Sequence, residues 1–102
     1  MMSLKNKVIF VAGGSTGIGK ATSRILCESG AKVVIGDINE KEGRIFVEQL
    51  SSKGLEIEFY SVDVTDFKSI SSFINNIYDK HGAIDGAFKN AGIEGPTAKV
   101  SD

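Results

Sequence analysis

The stretch that most constrains this chain is VAGGSTGIGKATSRIL, residues 11–26. An apolar run breaks into glycines, and apolar residues then resume at once with helical spacing. Gly13, Gly17 and Gly19 stand where a helix should be starting. Glycines at such a place admit what side chains would exclude, either a tight turn or the close approach of another group to the backbone. The run before them, KVIFVA (7–12), is too continuously apolar for a half-exposed strand and predicts a buried parallel one. A buried strand feeding a glycine loop and a helix needs further strands beside it.

The rest of the chain supplies them. After the loop, Ile18, Ala21, Thr22, Ile25 and Leu26 follow the spacing of one helix face, closed by Gly30. KVVIGD (32–37) predicts a second strand. Asn39 stands where it can cap a second helix whose third residue is Glu42 and which stops at Gly54. LEIEFYSV (55–62) predicts a third strand, and its charges at Glu56 and Glu58 suggest a sheet edge. A third helix is expected from Asp66 to His81, with Phe67, Ile70, Phe73, Ile74, Ile77 and Tyr78 as its face and Gly82 as its end. AIDGAFKN (83–90) predicts a fourth strand, followed by loop.

The order β-α-β-α-β-α-β specifies an α/β fold, a Rossmann-type doubly wound parallel sheet. Right-handed crossovers give the strand order 3-2-1-4, with the first two helices on one face and the third on the other. The resulting switch point lies between strands 1 and 4, at the carboxyl ends where such sheets bind ligands. The glycine loop falls there. The 102 residues suffice for one domain, 1–102, and not for two. A net charge of −1 provides no electrostatic footprint for nucleic acid or an anionic membrane. No apolar run is long enough to span a bilayer, and the N-terminus lacks the apolar core of a signal peptide. The single Cys27 fits a reducing compartment, so a cytoplasmic location is expected.

At the loop, Gly13 permits the turn off the strand, Gly17 the approach of a pyrophosphate, and Gly19 close packing of helix on sheet. The partly positive N–H groups of the helix N-terminus would face the phosphates. Ser15 and Thr16 add hydroxyl donors. The P-loop arrangement about a lysine after the last glycine is not met, so a triphosphate is not expected. Asp37, ending the second strand, can accept both ribose hydroxyls of an adenosine and repel a 2′-phosphate. Like charges about 4 Å apart cost roughly 4 kcal/mol at an effective dielectric near 20, and neither position 16 nor 38 holds a cation to reverse this. Asp63, in DVT (63–65), can bond an adenine amino group beside the backbone of Val64, while Thr65 or Asp66 can cap the third helix. In NAG (90–92), Asn90 can bond backbone across strands, and Ala91 and Gly92 leave room for a ribose; alone, this is also a turn. His81, in the last turn of its helix, reads as structural, Cys27 as core or boundary packing, and no metal-ligating set is present.

Together these motifs resemble the short-chain dehydrogenase/reductase family: AGGSTGIG (12–19) its glycine loop, Asp37 its NAD-selecting acid, DVT its adenine contact, and NAG the end of its NNAG motif. The resemblance covers essentially the whole chain. It implies NAD binding in preference to NADP, through Gly13, Ser15, Thr16, Gly17, Ile18, Gly19, Asp37, Ile38, Asp63, Val64, Asn90, Ala91 and Gly92. It further implies hydride transfer to or from a small-molecule secondary alcohol or ketone, in a parent enzyme that is a homo-oligomer. The sequence departs from the family pattern at Ala12, usually threonine, and at Lys89, usually asparagine. The family's catalytic serine and Tyr-x-x-x-Lys have no counterpart: four residues after Tyr60 and Tyr78 stand Val64 and Gly82. The chain therefore reads as an N-terminal cofactor-binding portion without turnover of its own. A stand-alone NAD(H)-binding or interaction module is the alternative.

Overall fold

Val8–Ala12 (β1) is the strand about which the other elements are arranged. In the computed structural model, which describes residues 3–13, 17–63 and 65–89, it is followed by α1 (Gly17–Glu28), β2 (Lys32–Asp37), α2 (Glu40–Ser51), β3 (Ile57–Ser61), α3 (Phe67–His81) and β4 (Gly86–Lys89). The sheet has the order β3-β2-β1-β4, and all its pairings are parallel. This is the expected order, with β3 at an edge.

Both faces of the sheet are covered, which is why β1 and β2 are apolar at almost every position. On one face Val11, Val33 and Ile35 pack with Cys27, Phe46 and Leu50 from α1, α2 and their surroundings. On the other, Val8, Phe10, Ala12 and Val34 meet Phe73 and Ile77 of α3. The helices thus divide between the faces as right-handed crossovers require.

Two helix faces differ from the expectation. In α1 the buried residues are Gly19, Ser23 and Cys27, while Ile18 and Ile25 are each 62% exposed. The helix approaches the sheet along a row of small side chains, which lets the backbones come close and leaves the isoleucines on the flank. The buried Ser23 hydroxyl is satisfied by donating to the Gly19 carbonyl at 2.8 Å. Burial, aided by the Glu28 charge, pushes the Cys27 thiol up to about 11, so it is protonated and inert at neutral pH. In α3, Phe73 and Ile77 are buried as expected, but Phe67 and Tyr78 lie outside the core, 81% and 56% exposed. Tyr78 directly follows the fully buried Ile77, and both it and Phe67 stand about a quarter-turn or more around the helix from the buried stripe.

The caps follow local chemistry. Asp66 accepts the Lys68 N–H at 3.0 Å and starts α3, and the Gly82 N–H closes it on the Tyr78 carbonyl at 2.7 Å. Asn39 occupies the N-cap position of α2, but its side chain makes no capping bond, contrary to expectation. Its backbone N–H is instead bonded by Asp37 Oδ1 at 3.1 Å.

Asp85 ties the beginnings of β1 and β4 together. Its carboxylate accepts the Val8 N–H at 2.8 Å, and its own N–H donates to the Val8 carbonyl, also at 2.8 Å. Asp85→Ala leaves a part-buried N–H without its acceptor and should cost about 1–3 kcal/mol, read as a lowered urea midpoint at unchanged slope.

At the opposite edge, Glu58 of β3 gathers the last turn of α3: Lys80 Nζ lies at 3.0 Å and His81 Nε2 at 3.5 Å. Tyr60 donates to the same carboxylate at 3.3 Å. Burial opposes ionisation of Glu58, yet the hydrogen bond and charge of Lys80, joined by those of His81, outweigh it and hold the carboxyl below its ordinary value. Because the folded value is depressed, this tie contributes fully above the unfolded carboxyl's value and is lost as pH falls through the folded one. Urea midpoints of wild type and Glu58→Gln should therefore differ at neutral pH and converge as pH falls through the depressed folded value. A gap that stays constant into acid would show that the charge of Glu58 is not what holds α3.

Candidate functional site

The carboxyl ends of the strands are level. Ala12 is in register with both Gly36 and Lys89, and Asp37 with Ser61. From β1 the chain enters α1 on one face, whereas β4 is reached through α3 on the other, so the carboxyl ends of β1 and β4 mark the topological switch point. Gly13 turns off the strand, its N–H bonded to the Gly36 carbonyl at 2.7 Å.

Gly17 opens α1 with φ +57°, and among the described residues no atom would lie within 4 Å of a Cβ placed there. The left-handed backbone at this position favours glycine. Gly19, two residues on, is buried against the sheet. The first-turn N–H groups of a helix carry partial positive charge, and such a helix start suits an anion.

Asp37 closes β2 one strand away. Its bond to the Asn39 N–H fixes the carboxylate at the strand end, while the neighbouring Ile38 is 69% exposed. Asp63 is exposed, and its Oδ1 accepts the backbone N–H of Thr65 at 3.0 Å and the Thr65 hydroxyl at 2.6 Å. Those two bonds hold its carboxyl below the ordinary range. Asp66, not Thr65, caps the helix that follows.

Between Ile38, the end of β3 and α3 lies a groove of about 600 Å³. Tyr60, Val62 and Phe73 form its apolar part, and Asp63, Lys68, Ser69, Ser72 and Asn76 its polar part. The α3 side of this groove is not among the residues expected from sequence. The signal was the uncharged polar set Ser69, Ser72 and Asn76, which recurs on one helical flank.

Ser15, Thr16, Val64, Asn90, Ala91 and Gly92 lie outside the described residues. Lys20 directly follows Gly19, but Ala21 stands where a P-loop carries a hydroxyl, and the Lys20 ammonium sits 5.4 Å over the Phe46 ring of α2. Among the described residues no group of three or more metal-ligating side chains converges, and no helix is long and apolar enough to cross a membrane.

The sequence model of short chain dehydrogenases matches residues 7–102. The chain belongs to that family. Short-chain dehydrogenase relatives include an uncharacterized oxidoreductase of Bacillus subtilis, 37% identical over 102 residues, all of this chain and 37% of that protein. The (+)-borneol dehydrogenase 1 of Salvia officinalis is 40% identical over 97% of this chain and 37% of its own length. Among solved structures, an NAD⁺-bound xylitol dehydrogenase superposes with a TM-score of 0.82 at 30% identity, over 90% of this chain and 35% of that one. The chain thus spans a little over a third of the relatives it matches. Their names mark the family as one of oxidoreductases, and the likeness establishes the Rossmann-type sheet.

Proposed function

We propose that this chain binds NAD(H) in preference to NADP(H), as the cofactor-binding part of an enzyme that moves hydride between the nicotinamide and a secondary alcohol or ketone. The observation that carries this reading is the pairing of a positive-φ Gly17 at the start of α1, with no described atom beside its Cβ position, with a fixed carboxylate, Asp37, at the level end of the adjacent strand. The first-turn N–H groups of α1 hold the pyrophosphate, Asp37 accepts the ribose hydroxyls, and the groove beginning at Ile38 receives the base with Asp63 at its rim. Bound there, the dinucleotide supplies a hydride acceptor or donor. Of this chain's own tyrosines, neither Tyr60 nor Tyr78 has a lysine four residues on, so its residues bind and orient the cofactor without moving the substrate's proton. The NAD⁺-bound xylitol dehydrogenase supports the reading of the cofactor, and the named dehydrogenases that of the reaction class.

The test is calorimetric titration of NAD⁺ into wild type and Gly17→Ala, with urea unfolding of both. A Cβ at Gly17 costs about 1–2 kcal/mol for the left-handed backbone but stands in the space given to the pyrophosphate. NAD⁺ affinity should fall at least ~10-fold, equivalent to 1.4 kcal/mol, in a variant that still folds. Unchanged affinity in the variant, or a folded wild type that binds no NAD⁺, overturns the proposal.

A further inference from the structure

We draw no further inference here: the strongest candidate, the exposed apolar flank of α1 formed by Ile18, Ala21 and Ile25, carries nothing because nothing in the structure shows what covers it.

Discussion

Asp37→Ala should weaken NAD⁺ binding and at the same time erase the preference over NADP⁺. Two separate contributions are removed. A carboxylate accepting hydrogen bonds from a ribose contributes about 1.5–3 kcal/mol. Its repulsion of a 2′-phosphate reaches roughly 4 kcal/mol at 4 Å and an effective dielectric of 20, and is reduced by solvent because Asp37 is only half-buried. A shift of the NAD⁺/NADP⁺ affinity ratio by about 10- to 100-fold toward NADP⁺ is the expected outcome, measured by titrating both cofactors into both proteins. Asp37→Asn separates the contributions: it keeps a carbonyl acceptor but loses the charge, so NADP⁺ binding should recover more than NAD⁺ binding falls. The carboxylate also holds the Asn39 N–H, and a loss of folding in the variants is checked by their urea midpoints. Equal NAD⁺/NADP⁺ ratios in wild type and both folded variants would mean that Asp37 does not face the ribose.

Phe73→Ala should be the most damaging single truncation on the α3 face. Phe73 is 4% exposed and meets Phe10 edge-on, with ring centroids 4.8 Å apart and planes at 72°. It also lies 5.2 Å from the Tyr60 ring. It fills the hollow left by Gly36 of β2, since a Cβ on that glycine would come within 2.8 Å of both Phe73 and Val62. With two aromatic neighbours and a glycine around it, the site has little to collapse inward, so the loss should approach the upper part of the 3–5 kcal/mol range for such truncations. For a domain whose whole stability is about 5–15 kcal/mol, that is a large fraction. The urea midpoint should drop severely, while Phe73→Leu should recover much of the difference. A loss below about 1 kcal/mol for Phe73→Ala would show that α3 is not seated as described.

Strands, topology and strand-end residues were legible because each carries a strong local signal. Continuous β-branched runs mark buried strands, and glycines and acids stand where the runs stop. Helix orientation was less legible, for a reason visible in α1. Counting apolar side chains selected Ile18 and Ile25, but the contact with the sheet is made by Gly19, Ser23 and Cys27, whose merit is small volume rather than hydropathy. The same counting extended the α3 face to Phe67 and Tyr78, which lie around the helix from the narrower stripe of Phe73 and Ile77 that meets the sheet. Asn39 shows a further limit: an amide at the right position need not cap when a carboxylate two residues earlier has taken over the local geometry. The placement of Asp37 at the end of β2 and of Gly13 and Gly17 between β1 and α1 was readable from position alone. The groove wall on α3 was not, because Ser69, Ser72 and Asn76 resemble any solvated flank until the end of β3 is set opposite them.

The central position of β1 also bears on how the protein is made. Its bond to Asp85 joins residues 77 apart in the chain, and β4, its neighbour on that side, is the last described element to be synthesised. At ~5–20 residues per second, a ribosome needs roughly 4–15 s to deliver that intervening length. Until β4 is made, β1 can pair with β2 alone, and the backbone N–H and C=O groups of its other edge, which pair with Gly86–Lys89 in the fold, lack that partner strand. Nascent polypeptides on one message then present the same unpaired strand edge to one another. Slow translation through the α3 segment lengthens this exposure, making yield of soluble protein depend on elongation rate as well as on final stability.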